Sequence, residues 1–210
     1  MTINWSGSAG RPLTETLSNQ SDMTNHHPNF GHFRFERVLS VGPTSIDAYR
    51  ALRLRGLREH PESFGETPQN FEAKSNEQIL ERIKAQMSLG GFILAANSCT
   101  GELIGTVGLA VNDAEKSRHR GMLWGMYVVP EARNQGVARV LIDELLVRAE
   151  RISELEQIHL AVVTTNQGAC RLYQSMGFVT YGTDPKVLRI GGQAFDEYLM
   201  VKHLRRANLG

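Results

Sequence analysis

The chain has 210 residues, a formal net charge of +1, 41% hydrophobic residues and 21% charged residues, which suits one medium domain plus a tail in an ordinary soluble protein. Near-neutral charge removes the electrostatic case for nucleic acid or an anionic membrane surface as partner, and no apolar run approaches the ~20 residues that span a bilayer. The N-terminus shows no charged segment followed by an apolar one, so the expected compartment is the cytoplasm, with Cys99 and Cys170, the only cysteines, as free thiols.

Residues 1–31 are rich in Ser, Thr, Asn and Gly and have no hydrophobic period. They are expected to form a disordered tail, because ordering them would bury too little apolar surface to offset the lost entropy. His26, His27 and His32 have no Cys or carboxylate at a ligand spacing and read as polar residues, so no metal is expected. Residues 32–210 are expected to form a single domain. Phe33, Phe35 and Val38 suggest a first strand. Thr44-Ser45-Ile46-Asp47 opens a helix, with Thr44 as cap and Asp47 reaching back. Ile46, Tyr49, Leu52 or Arg53, and Leu57 form its inward stripe, and His60-Pro61 ends it, because the residue before proline avoids the α region. Residues 61–74 read as a loop. Residues 75–89 read as a second helix with Ile79, Leu80, Ile83 and Met87 inward, stopped by Gly90-Gly91.

Strands are expected over 92–96, 103–111 and 123–129, joined by linkers short enough for antiparallel hairpins. A helix over 136–152 places Val137, Leu141, Leu145, Ala149 and Ile152 on one face. A strand at 158–163, a helix at 166–176 and strands at 178–181 and 197–201 complete the chain. There are no internal repeats, and the fold class is α+β, a mostly antiparallel central sheet with helices packed on it.

The most informative stretch runs from Leu123 to Asp143. An apolar strand meets Pro130, which cannot donate to a ladder. A short polar loop with Arg133 follows, and Gly136, Val137 and Ala138 open the long helix. Small residues let backbone approach a ligand, and the first N–H groups of a helix lack internal partners and carry partial positive charge. Together they suit a pyrophosphate, and Arg133 adds a two-pronged phosphate partner. The Gly-x-x-x-x-Gly-Lys-Ser/Thr loop is absent, and the dinucleotide fingerprint fails because only Gly136 occupies this turn. The second stretch is Asn166-Gln-Gly-Ala-Cys-Arg-Leu-Tyr173-Gln-Ser-Met-Gly177-Phe178. Asn166 suits a helix N-cap and Gly177 a C′ position. Tyr173 shares an inward face with Ala169, Leu172 and Met176. Cys170 reads as structural.

Arg133-x-x-Gly136-x-Ala138 after Tyr127-Val128-Val129-Pro130 resembles motif A of the GNAT acetyltransferases, and the Asn166–Phe178 stretch resembles their motif B. The resemblance covers roughly residues 33–203 and implies the GNAT acyl-CoA acyltransferase fold, with helices on both sheet faces. It implies acetyl-CoA as co-substrate, its pyrophosphate on the amides of Asn134, Gln135, Gly136, Val137, Ala138 and Arg139. It further implies that the backbone of Met126, Tyr127, Val128 and Val129 pairs with the pantetheine arm, with Met126 and Val128 nearest the acetyl carbonyl. Tyr173 is implied as general acid to the departing thiolate, against its reading as a packed tyrosine. Asn166 is implied as a pantetheine contact or a clamp, against its reading as a pure cap.

The implied reaction is acetyl transfer to a primary amine of a small molecule or peptide by direct attack in a ternary complex. The alternative is a non-catalytic acetyl-CoA sensor or scaffold. The helix carrying Arg53, Leu54, Arg55 and Leu57, with His60-Pro61 and Phe64, resembles the acceptor side of such enzymes, and so does the terminal strand Asp196-Glu197-Tyr198-Leu199-Met200. Many members place a carboxylate base on one of two strands; here Met122–Met126 and Ala161–Val163 have none. Glu102, Asp113, Glu115, His119 or a water chain remain open. His119 and His159 read as surface or strand-edge residues. Trp124 lines the acceptor pocket or the sheet core. Glu59, Glu62, Glu66 and Glu72 read as a solvated face that would favour a cationic acceptor if it rims the pocket. Members are often dimers, so a homodimer is allowed.

Overall fold

A computed structural model describes residues 35–204. The expected tail and His26, His27 and His32 lie outside the described residues. The chain begins with strand β1 (Phe35–Ser40) and then helix α1 (Ile46–Glu59). Thr44 is not the cap of α1. Gly42-Pro43 leads into a one-turn 3-10 segment, Pro43–Ser45, so the α-helix starts later with Ser45 at its N-cap. Asp47 instead accepts from Asn76 Nδ2 at 2.6 Å, tying α1 to the start of a later helix (Asn76–Met87).

The stretch expected as a loop contains a second 3-10 turn, Pro61–Ser63, and a short helix α2 (Pro68–Glu72). Thr67 caps α2 by accepting from Asn70 N at 3.2 Å, and Pro68 fits its first turn because that N–H has no helical acceptor in any case. Helix α3 (Asn76–Met87) starts from a reciprocal cap between Ser75 and Gln78. Ile79 and Ile83 face inward as expected, but Met87 is 55% exposed, because the helix ends there.

Strands β2 (Phe92–Ser98), β3 (Leu103–Val111) and β4 (Arg120–Val128) form an antiparallel meander. Helix α4 (Val137–Ala149), strand β5 (Gln157–Val163) and helix α5 (Gln167–Ser175) follow, and a long hairpin of β6 (Val179–Ile190) and β7 (Gln193–His203) ends the fold. The seven strands lie in the order β1-β2-β3-β4-β5-β7-β6, and only β4 and β5 are parallel. The expected α+β class, a mostly antiparallel sheet with helices on both faces, is what the chain adopts. One core packs α4 and α5, through Leu141, Leu145 and Tyr173, on Leu160 and Met200. The other packs α1 and α3, through Tyr49, Leu57, Ile79 and Ile83, on Ile93 and Ala95.

Candidate active site

The site originates in a failure of strand pairing. β4 and β5 pair only through Arg120↔Gln157, Gly121↔Ile158 and Met122↔His159. Beyond Met122 both strands continue, to Val128 and Val163, but apart. The two edges facing this gap carry main-chain donors and acceptors with no strand between them.

Within β4 a bulge sets two residues, Gly125 and Met126, against Val107 alone. Gly125 takes a φ of +66° there, a left-handed conformation that favours glycine. Past the bulge, Val129 N donates to Ile104 O at 3.0 Å. Because orientation alternates along a strand, Val128 turns its N–H and C=O away from β3, into the gap. Its carbonyl accepts from Arg133 Nε at 3.0 Å, while its N–H stays open toward β5.

The turn after β4 is built as a donor cradle. Asn134 has φ +59° and Gly136 φ +79°, and these two left-handed residues curl the chain into α4. The first bond closing the helix is Val140 N to Gly136 O at 3.1 Å. None of the amides from residue 134 to residue 139 donates to a carbonyl or side chain among the described residues. Six successive unpaired N–H groups at the positive end of a helix fit a diphosphate.

Arg133 already has partners within the chain. Besides Val128 O it engages His60 Nε2 through Nη2 at 2.9 Å, and lies 3.9 Å from Glu59. Its guanidinium braces the turn against the end of α1, and only Nη1 is left for a phosphate. Arg139 is likewise spent on α5, donating to Ser175 Oγ at 2.7 Å and to Met176 Sδ at 3.0 Å, so its contribution to the cradle is its amide. Tyr127 packs its ring on Gly56, where a β-carbon would stand 2.9 Å from Tyr127 Cγ, and its hydroxyl donates to Glu59 Oε2 at 2.6 Å.

On the other side of the gap Asn166 caps α5, accepting from Ala169 N at 3.1 Å; its oxygen is committed to the helix. Tyr173 is 5% exposed, its ring 5.8 Å edge-on from Phe178, and burial pushes its phenol well above the usual range. Cys170 is buried beside it and raised by the same desolvation, so it stays a thiol.

The flanking residues weighed as bases are scattered. Asp113 and Glu115 are exposed in the linker before β4, at the closed end of the gap, and Glu102 is exposed before β3. His159 is not a surface residue. It is 7% exposed because β5 lies between β4 and β7, and Arg120 Nε donates to its Nε2 at 3.2 Å. Burial and the Arg120 charge lower its pKa to about 4. A carboxylate not weighed as a base from the sequence is Glu197 on β7, paired with Val163 at the open end of β5. Burial, then the neighbouring Asp184, raise its pKa. The sequence shows Asp196 and Glu197 side by side in this strand, with nothing local to single out Glu197.

On the same sheet face as Met122, Arg53 of α1 lies between Phe64, 4.5 Å from the ring centre, and Trp124, 5.7 Å away. The four glutamates near it are spoken for. Glu59 holds Tyr127 and Arg55, Glu62 pairs with His60, Glu66 with Lys74 and Glu72 with Arg58. They are therefore not a free acidic rim for a cationic acceptor.

The site is thus a strand pair that parts beside an amide-lined helix start. The profile of the acetyltransferase (GNAT) family matches residues 54–178, and the chain belongs to that family. It is 32% identical over 162 residues to mycothiol acetyltransferase of Acidothermus cellulolyticus, covering 72% of this chain and 46% of the relative. It is 26% identical over 102 residues to the L-amino acid N-acetyltransferase AaaT of Escherichia coli K12, covering 49% of this chain and 62% of the relative. The chain thus spans about half the length of the curated relatives it matches. Among solved structures, yncA of Salmonella typhimurium, determined with its cofactor acetyl-CoA, shares the fold at a TM-score of 0.71 and 18% identity, over 82% of this chain and 95% of that one.

Proposed function

We infer that this protein transfers the acetyl group of acetyl-CoA to an amine of a small molecule or peptide, by direct attack while both are bound. The observation that carries this reading is the run of six unpaired amides, residues 134–139, curled beside the gap between β4 and β5. The relatives' names support an acetyl donor and disagree about the acceptor, one being a mycothiol and one an L-amino acid acetyltransferase.

Acetyl-CoA supplies an acetyl group activated as a thioester; the chain supplies position and polarity. The amides of residues 134–139 suit the pyrophosphate, and the β4 edge at residues 126–129 suits the pantetheine arm as an added strand would. The open Val128 N–H suits the carbonyl oxygen as negative charge grows on it. As the carbon–nitrogen bond forms and the carbon–sulfur bond breaks, the departing sulfur needs one proton and the amine must lose one. Tyr173, held protonated by burial, is the donor to sulfur. Glu197, whose raised pKa makes it a better acceptor than an ordinary carboxylate, takes the proton from nitrogen.

The test is thiol release from acetyl-CoA across a panel of amines, comparing wild type with Tyr173→Phe. Amine-dependent release in wild type, lower by ~10²-fold in the variant, supports the reading. Tight CoA binding with no amine-dependent release overturns it in favour of a binding module.

A further inference from the structure

The guanidinium of Arg53 is an anomaly in this fold. The residue is 6% exposed, yet no carboxylate, carbonyl or hydroxyl among the described residues accepts from it, and its Nη1 is fully shielded without a partner. The other arginines of α1, and Arg133, are all used. Arg50 donates to the carbonyls of Lys74 and Glu72, Arg55 to Glu59 and Glu131, Arg58 to Glu72, and Arg133 to Val128. Leaving a buried guanidinium N–H without an acceptor is costly; Glu66 and Tyr49 act on the charge from a distance, and they and the stacking on Phe64 and Trp124 compensate only in part.

A second orphan lies beside it. Trp124 Nε1 is also buried with no acceptor, its indole packed against Gly108, where a β-carbon would stand 2.5 Å from Trp124 Cε2. Both orphans are donors, and both stand at the β4 bulge. Arg53 Nη1 is 3.5 Å from where a β-carbon on Gly125 would be, one residue before the backbone read above as facing the acetyl group. The 3-10 turn at residues 61–63, just before Phe64, reaches across to β5 and β6, closing this corner. The glutamates that would recruit a cation are all paired. What is missing here is a hydrogen-bond acceptor that Arg53 Nη1 and Trp124 Nε1 can share, and an anionic one would suit the guanidinium best.

We propose that Arg53 and the Trp124 indole bind a carboxylate on the acceptor, so that the acceptor is a small amine that also bears a carboxylate, of the amino-acid type. This rests on the acyl-transfer reading for the amine's role. Planar, bidentate recognition of a carboxylate is what a guanidinium fork does best. A site built for such a group rejects the analogue lacking it, because its donors are then left bare.

The experiment has two arms. In the first, ¹H–¹⁵N spectra follow the Trp124 indole N–H while amino acids, their α-amides and the matched decarboxylated amines are titrated into the full chain with CoA present. The indole resonance shifts with the amino acids and stays still with the amides and amines, and the response is absent in Arg53→Met. In the second, kcat/KM for acetylation falls roughly a hundredfold from an amino acid to its amide in wild type. Arg53→Met loses that preference while retaining transfer to the amide. A merely structural Arg53 would lower thermal stability when replaced; relief of a buried guanidinium N–H without an acceptor leaves Arg53→Met at least as stable as wild type. Should Arg53→Met fold poorly, Arg53→Lys, which keeps the charge and loses the fork, gives a weaker preference of the same sign. An indole response to amides and amines equal to that to the acids, or unchanged discrimination in folded Arg53→Met, overturns the proposal. Failure of every amine to release thiol, with the indole response intact, would sink the acyl-transfer reading and leave the carboxylate site standing.

Discussion

The Tyr127 hydroxyl donates to Glu59 Oε2 at 2.6 Å, joining β4, just ahead of the phosphate turn, to the last residue of α1. The contact lowers the pKa of Glu59, with Arg55 adding to the effect, and raises that of Tyr127 together with burial. His60, one residue on, receives Arg133 from the turn itself. The helix proposed to hold the acceptor and the loop proposed to hold the donor are thus locked to each other.

Tyr127→Phe removes that lock while keeping the ring that fills the space above Gly56. Its expected cost is about 1 kcal/mol, a single hydrogen bond to a partly exposed carboxylate, read from urea denaturation. Because the turn loses a brace, KM for acetyl-CoA rises while kcat changes little. A stability loss with KM unmoved would separate the hydrogen bond from the turn.

Gly136→Glu strikes the cradle twice. Its φ of +79° disfavours any side chain by roughly 1–2 kcal/mol, and the carboxylate would stand against phosphate. Calorimetry should show CoA binding lost while near-ultraviolet circular dichroism reports an intact fold. A folded variant with undiminished CoA affinity would contradict the assigned site.

Glu197→Gln addresses the proton acceptor. A protonated amine substrate contributes one unit of slope to log kcat/KM on the acid side, and a carboxylate base contributes a second below its own pKa. Because the Glu197 pKa is raised, the second unit should appear at a higher pH than for an ordinary glutamate. The variant loses it and about two orders of magnitude in kcat/KM. Identical pH profiles for wild type and variant would move the base elsewhere.

His159 carries a pH signature in stability. Its pKa is lowered from 6.5 to about 4 by burial and Arg120, so between those values the unfolded chain binds a proton that the fold refuses. Stability therefore rises with pH across that window and is lost as pH falls through it. The urea midpoint should drop from pH 7 to pH 5 in wild type and drop less in His159→Gln; equal drops would place the cause in other groups.

The parts of the fold legible in the sequence were those with local signals. The start of α4 at Gly136, the cap at Asn166 and the stripe Leu141–Leu145–Ala149 each follow from spacing and capping chemistry alone. What escaped was decided by tertiary context. β6 continues well past Tyr181 through Pro185 and the left-handed Lys186, tolerable because β6 is an edge strand. Helix α2 was announced by Thr67-Pro68 but is too short to show a period. Arg53 occupies an inward position of the α1 stripe, a visible oddity whose meaning needs Phe64 and Trp124 folded around it. Glu197 is an ordinary strand residue until β7 inserts between β5 and β6.

The central claim is that the main-chain amides opening α4 receive the diphosphate of the acetyl donor. Titration of CoA into ¹⁵N-labelled protein, followed by amide spectra, tests it most directly. The largest shifts are expected at residues 134–139, with a second group at Met126 and Val128 on the β4 edge of the gap. Saturable CoA binding that leaves those amides in place and moves another surface would contradict it.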